Sequence, residues 1–136
     1  MLKLAEANRA VEAALAKADE LAIHISVSIC DAYGRLVAHQ RMDDVFAEAS
    51  RASIGKAIAA AGLGRPSGEE SERNVEQSLV VVVLAEGAPV IRTRGGLPII
   101  RGDEVEGGVG VCGGHTHEQD EECARAGTQA LKKQRR

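Results

Sequence analysis

The chain has 136 residues, of which 27% are charged, and a formal net charge of −3. This length is sufficient for one domain with one hydrophobic core, and the slightly acidic balance provides no basic surface for nucleic acid. No segment approaches the roughly 20 apolar residues that a transmembrane helix requires, so the sequence predicts no membrane span.

The first half of the chain predicts a helix, a hairpin and a second helix. Apolar residues at steps of three and four predict an amphipathic helix over 3–20. Alternating isoleucines and polar residues, followed by the turn "DAYGR", predict a β-hairpin over 23–42 whose first strand has one buried face. For the next helix, Asp43 or Asp44 is the expected N-cap and Gly62 the expected end.

The middle of the chain predicts a short helix and a second hairpin. In "LGRPSGEESERNVEQ", residues 63–77, Ser67 precedes Glu70 by three positions, which is typical of a capped helix start. The β-rich runs of "LVVVVLAEGAPVIRT", residues 79–93, flank an Ala-Glu-Gly turn. The valine run does not alternate with polar residues, so we expect both of its faces to be covered.

The last third predicts a third hairpin, a glycine-rich corner and a helix. "LPII" and "VEGGVGV" are strand-like around the turn "RGDE", and Thr116 followed by Gln119 matches a capping box. The glycines indicate bulges or close backbone approach, although such a corner could also present N–H groups to an anion. No linker or repeat divides the chain. The elements together predict one α+β domain over 1–136, an antiparallel sheet with helices packed on it.

Aromatic side chains are almost absent, because Tyr33 and Phe46 are the only two. A core of Ala, Val, Ile and Leu buries little apolar area per side chain. We therefore expect part of the apolar surface to be buried between copies of the chain, in a homo-oligomer. The charged N-terminus and three cysteines without a C-x-x-C pair predict reduced thiols and a cytoplasmic protein.

A few polar residues are candidates for a site, each with a structural alternative. His115 and His117 lie two residues apart at a helix start, where they could ligate a metal or lie on the surface. His39 and Arg41 share one face of a predicted strand, as part of a site or as a solvated face. Lys56 is one charge in a helix of small residues, so it could bind an anion or extend its ammonium to solvent.

An ordered set of motifs carries a family resemblance. "DAYGRLVAHQRMDD", "SIGKA", "GGLPI", "GGVGVCGG" and "EQDEECARAG" follow one another along almost the whole chain. They resemble the GlcG/HbpS-like family, which is also found as the C-terminal domain of PduO-type corrinoid adenosyltransferases. The resemblance implies a profilin-like α/β/α arrangement around an antiparallel sheet, assembled as dimers or larger oligomers. It also implies haem as a possible cofactor, because several members bind haem or iron.

The expected pocket combines these candidates. Its ligand-binding residues are Arg41, Lys56, Gly95, Gly96, Pro98, Gly114, His115, Gln119 and Asp120. Haem requires an axial donor, for which His39, Met42, His115 and His117 are available. Cys112 occupies a position where the family pattern has serine, and His115 and His117 occupy positions where it has small residues or proline. These departures leave open an anionic small molecule as the ligand instead of haem.

Three functions are compatible with the sequence. The leading hypothesis is a cytoplasmic, homo-oligomeric protein that binds haem or an anionic catabolite and is associated with a catabolic pathway. The first alternative is an enzyme of small-molecule catabolism, a lyase, isomerase or hydrolase, in which Lys56 or His115 is the base. The second alternative is a structural accessory subunit of another enzyme. No assembled acid, base and nucleophile set is visible in the sequence.

Overall fold

Helices cover both faces of an antiparallel sheet in the computed structural model of this chain, which describes residues 1–68 and 90–132. The described helices are α1 (Leu4–Leu21), α2 (Glu48–Leu63) and α3 (His117–Lys132), and the strands are β1 (Ser26–Asp31), β2 (Leu36–Arg41), β3 (Gly96–Arg101) and β4 (Glu104–Cys112). The strand order is β2-β1-β4-β3, and every neighbouring pair is antiparallel. The predicted α+β class and the predicted first and third hairpins are confirmed.

One face of the sheet packs against α1 and α3 and forms the main apolar core. The sheet contributes aliphatic residues to it, namely Ile25 just before β1 and the strand residues Val27, Ile29, Leu97, Ile99, Val109 and Val111. The helices contribute small side chains, among them Ala7, Ala10 and Ala14 of α1. Tyr33 and Phe46 are 78% and 56% exposed, so the core holds no aromatic ring. Small side chains permit the close packing of helix and sheet that an aromatic-poor sequence requires.

The opposite face of the sheet packs against α2 and is lined by small and polar residues. Ser26, Ser28 and Cys30 of β1 point to this side and are fully buried. The prediction that β1 has a single buried face is therefore wrong. Ser26 and Ser28 form hydrogen bonds with Ser53 of α2. Because their hydroxyl groups have these partners, the polar residues of the alternating pattern can be buried under the helix instead of facing solvent.

Helix α2 contacts β4 backbone to backbone. A Cβ atom added to Gly110 would overlap the carbonyl oxygen of Ser53 and lie 2.5 Å from the backbone nitrogen of Ala57. A Cβ at Gly108 would overlap the carbonyl oxygen of Ala57. Close backbone approach, one of the two interpretations of the glycine-rich segment, is thus confirmed for these two glycines.

Both predicted boundaries of α2 are wrong. Asp44 has a left-handed backbone (φ 68°), and the helix begins after Ala47, which makes no side-chain capping hydrogen bond. The helix continues past Gly62 and ends at Gly64, whose φ of 70° closes it. The predicted short helix over 63–77 and hairpin over 79–93 lie largely outside the described residues. None of the described helices combines the length and the hydropathy that a membrane crossing requires.

We expect Gly110→Ala to destabilise the fold by more than about 2 kcal/mol, because α2 must move away from β4 to admit the methyl group. Gly102→Ala is the matched control. An added Cβ at Gly102 meets nothing within 4 Å, and only its φ of 64° is unfavourable, at a cost of about 1 kcal/mol. Urea unfolding of the two variants measures the difference. Equal losses would contradict the backbone contact.

Candidate functional site

Lys56 is buried at the centre of the α2 contact with the sheet. It is 2% exposed, and its Nζ donates to the carbonyl oxygen of Val111 (3.0 Å) and to Oδ2 of Asp120 (3.3 Å). Asp120, in the first turn of α3, is also 2% exposed. The extension of Lys56 to solvent, one of its two predicted alternatives, is therefore wrong. The side chain instead forms a buried ion pair that joins two helices across the end of β4.

Asp120 also holds the corner that leads from β4 into α3. Its Oδ1 accepts a hydrogen bond from the backbone N–H of Gly114 (2.8 Å). Burial raises the pKa of Asp120, while the charge of Lys56 and the Gly114 N–H act in the opposite direction. A carboxylate removed from water needs both of these partners to remain ionised.

The Gly95-Gly96 corner lies directly on Lys56. A Cβ at Gly95, whose φ is 128°, would lie 2.5 Å from the Val111 carbonyl oxygen and 2.8 Å from Lys56 Nζ. Ser67 secures the corner, because its hydroxyl donates to the Thr93 carbonyl (2.6 Å) and accepts from the Gly96 N–H (2.9 Å). The Lys56 side chain fills the space beside Gly95, and the Lys56 backbone and the Ser67 hydroxyl fill the space beside Gly96, so both glycines have a packing role.

The predicted capping box at the start of α3 is confirmed. The Gln119 N–H donates to Oγ1 of Thr116 (3.1 Å), and Oε1 of Gln119 accepts from the N–H groups of Thr116 (3.2 Å) and His115 (2.9 Å). Together with the bond from Gly114 to Asp120, these contacts use four backbone N–H groups of the corner, those of Gly114, His115, Thr116 and Gln119, which are then not free to bind an anion. The imidazoles of His115 and His117 are exposed at this helix start.

A second polar cluster, formed by three serines and a histidine, lies on the same face of the sheet. The hydroxyl of Ser53 in α2 lies 3.1 Å from Ser26 Oγ and 2.7 Å from Ser28 Oγ, and it donates to the Ser50 carbonyl (2.8 Å). Nδ1 of His39 lies 2.8 Å from Ser28 Oγ, its direct neighbour across the β1–β2 pair. We name this set, His39, Ser28, Ser53 and Ser26, the serine relay.

Burial, and secondly the charge of Arg41, lower the pKa of His39. Its imidazole is half-buried. A lowered pKa favours the neutral ring at neutral pH, the form that binds metal ions. Sequence reasoning identified His39 but missed the serines. The signal available in the sequence was the alternation of serines with aliphatic residues in β1.

The structure brings together most, but not all, of the expected pocket. The ion pair of Lys56 and Asp120 lies at its centre. Four other expected residues lie next to this pair: Gly95, Gly96, Gly114 and Gln119. Pro98 pairs with Gly108 farther along β3. Arg41 is exposed on β2, and no hydrogen bond or ion pair among the described residues joins it to this cluster. Residues 1–68 and 90–132 contain no group of three His, Cys, Asp or Glu side chains that could hold a metal ion.

An open cleft of about 310 Å³ lies on the outer side of α3, next to the glycine corner. Its walls are charged residues: Arg94, Glu118, Glu121, Glu122 and Arg125. Arg94 binds Glu121 (2.7 Å), which also lies 3.4 Å from Arg125. Arg94 therefore joins the segment before the Gly95-Gly96 corner to α3, and Arg125 pairs with Glu121 within the helix.

The fold and the buried contacts define a small α+β domain with helices on both faces of an antiparallel sheet. The chain belongs to the HbpS-like family, since residues 2–129 match the family described as haem degrading protein HbpS-like. It is 35% identical over 120 residues to an uncharacterised 15.0 kDa protein of Citrobacter freundii from the dhaT-dhaS intergenic region, covering 88% of this chain and 84% of that protein.

Solved structures show the same relationship. The crystal structure of Klebsiella pneumoniae protein ORFY is 33% identical, with a TM-score of 0.81 over 96% of this chain and 90% of that one. A PduOC:heme complex is 28% identical, with a TM-score of 0.78 over 95% and 94% of the two chains. The family resemblance found in the sequence is thus confirmed.

Lys56→Met tests the buried ion pair. At pH 7 we expect a loss of about 3–5 kcal/mol, because the Asp120 carboxylate stays buried without its cation. The double variant Lys56→Met/Asp120→Asn should recover most of this loss, because the amide oxygen still accepts from the Gly114 N–H.

The pH dependence of Lys56→Met has a defined sign. Burial raises the folded-state pKa of Asp120, so the uncharged acid is favoured in the folded variant. Its destabilisation should shrink as pH falls towards the raised pKa and grow as pH rises through it. Urea unfolding between pH 5 and 8 measures this trend. A loss that is independent of pH and not relieved by Asp120→Asn would contradict the ion pair.

Proposed function

We propose that this chain is a haem-binding member of the HbpS-like family. The observation that carries the proposal is the likeness, over nearly the full length of both chains, to a domain whose crystal structure is a heme complex. The description of the matching family as haem degrading supports the same cofactor. Bound haem would supply a redox-active iron, and the protein would supply its axial donor and surroundings.

The donor set of this chain fits haem better than it fits an anionic ligand. Imidazole is a common axial donor, and His39 presents a half-buried one. The backbone N–H groups of Gly114, His115 and Thr116, which lead into α3, are already bound by Asp120 and Gln119. Lys56 is paired with Asp120 away from solvent, which also argues against its use as a catalytic base. We therefore propose haem rather than an anionic catabolite.

A haem titration tests this proposal. Purified protein should produce a saturable change in the Soret band at a stoichiometry of one haem per chain. The same chain unfolded in urea is the control, since it retains every side chain but loses the folded site. If the Soret band of haem does not respond to the folded protein at stoichiometric concentration, the proposed function is wrong.

We also propose that the protein is a homo-oligomer, and we assign it to the cytoplasm. Apolar side chains are exposed around the edge strand β2: Tyr33 in the β1–β2 turn, Leu36 at the start of β2, and Phe46 before α2. Within residues 1–68 and 90–132, β2 is an end strand of the sheet, and exposed apolar residues beside an end strand favour association. The three cysteines are free, as expected for a reducing compartment.

Native mass spectrometry of the freshly purified chain should show dimers or larger assemblies. The variant Leu36→Lys should shift the distribution towards the monomer, because it places a charge at the exposed edge of β2. Leu4→Lys, on the exposed side of α1, is the matched control, because it places the same charge at another exposed leucine. A monomer at micromolar concentration would contradict the oligomer proposal.

A further inference from the structure

We infer that His39 is the axial ligand of the haem iron, binding through Nε2, and that Ser28 and Ser53 are positioning residues that orient its ring. This inference rests on the proposed haem-binding function and deepens it by assigning the donor. It follows from the hydrogen-bond directions that the donation of Ser53 to the Ser50 carbonyl imposes on the serine relay.

The hydrogen bond from Ser53 to the Ser50 carbonyl determines which atom donates in each of the other hydrogen bonds of the serine relay. The Ser50 carbonyl oxygen can only accept, so the single hydroxyl proton of Ser53 is donated to it over 2.8 Å. Ser53 Oγ can then only accept from its other two neighbours. Ser26 (3.1 Å) and Ser28 (2.7 Å) must therefore both donate to it. Every proton of the buried hydroxyls is thereby assigned.

The donation of the Ser28 proton to Ser53 in turn determines the tautomer of His39. Because Ser28 gives its only proton to Ser53, its oxygen must accept from His39 over 2.8 Å. Nδ1 of His39 consequently carries the proton, and the neutral ring has its lone pair on Nε2. Within residues 1–68 and 90–132, Nε2 of His39 has no hydrogen-bond partner. Histidines that bind metal characteristically donate the other ring N–H in this way.

Within the described part of the chain, the other candidate iron ligands, His24, Met42, His115 and His117, lack a buried hydrogen-bond network that orients a free donor atom. His115 and His117 are exposed at the start of α3, and no hydrogen bond of their rings is present among the described contacts. The sulfur of Met42 accepts from the Ile25 N–H (3.2 Å), so its lone pair is partly engaged. His24 donates Nδ1–H to the Asp43 carbonyl (2.9 Å), but its ring is exposed and contacts a loop.

His39 differs from His24 in what holds its ring. The relay connects His39 through β1 to α2, and its serines are fully buried. A donor fixed to the core keeps its orientation when haem binds, which lowers the entropic cost of ligation. His24 has the same tautomer without this support. It is therefore the matched control for every experiment on His39.

The first experiment measures haem affinity and the Soret spectrum of single variants. His39→Gly should bind haem at least tenfold more weakly with a shifted Soret band, and added free imidazole should restore the wild-type spectrum. Ser28→Ala and Ser53→Ala should weaken binding by about tenfold to a hundredfold, as loss of an outer hydrogen bond does. His24→Gly should match the wild type in both affinity and spectrum.

The outcomes separate this inference from the proposed function. Tight haem binding by His39→Gly with an unchanged Soret band would overturn the inference and leave haem binding intact. Absence of haem binding by the wild type would overturn both. Loss of binding in His24→Gly but not in His39→Gly would assign the iron to the other histidine and overturn the inference.

The second experiment needs no haem. Long-range ¹⁵N NMR of the haem-free protein should show His39 as the neutral Nδ1–H tautomer. In Ser28→Ala, the ring loses its acceptor and should populate both tautomers. Circular dichroism of Ser28→Ala shows whether the fold is retained, and Ser50→Ala, which keeps the backbone acceptor, should leave the tautomer unchanged. An Nε2–H tautomer in the wild type would overturn the relay.

Discussion

The direct contact between the backbones of α2 and β4 is the constraint on which the rest of the structure depends. Gly108 and Gly110 lack the side chains that would separate the two elements, so the helix lies on the strand itself. This short separation brings Ser53 within hydrogen-bonding distance of β1 and places Lys56 beneath the Gly95-Gly96 corner. A methyl group at either strand glycine would act on both polar clusters at once.

As a result, the two faces of the sheet differ in the kind of side chain that they bury. The α1/α3 face is aliphatic and contributes the main core, whereas the α2 face buries polar groups that must be paired. Lys56 and Asp120 satisfy each other and fix the start of α3, so they hold the structure rather than perform chemistry. The serine relay ends instead at a half-buried imidazole. In our proposal, the iron ligand therefore lies on β2, away from the glycine corner that the sequence analysis emphasised.

Local patterns could be read from the sequence, and contacts between distant residues could not. The spacing of apolar residues predicted α1, and Thr116 with Gln119 predicted the start of α3, since each signal lies within a few residues. Lys56 and Asp120 are 64 positions apart. The family resemblance grouped them in one expected pocket, but no pattern in either segment predicted that they form an ion pair with each other. The serines of β1 were expected to face solvent, because an alternating pattern does not show that a helix covers its polar face. The start of α2 was misplaced because Asp44 adopts a left-handed turn.

Family membership supplies the cofactor class for our proposal, and the hydrogen-bond directions supply the donor. The most direct test of the account is a crystal structure of the haem-loaded protein. We predict electron density for haem with its iron bound to Nε2 of His39, with Nδ1 still donating to Ser28 and α2 still in contact with Gly110. Iron bound to His24, His115, His117 or Met42, or haem seated with α2 displaced from β4, would contradict the account.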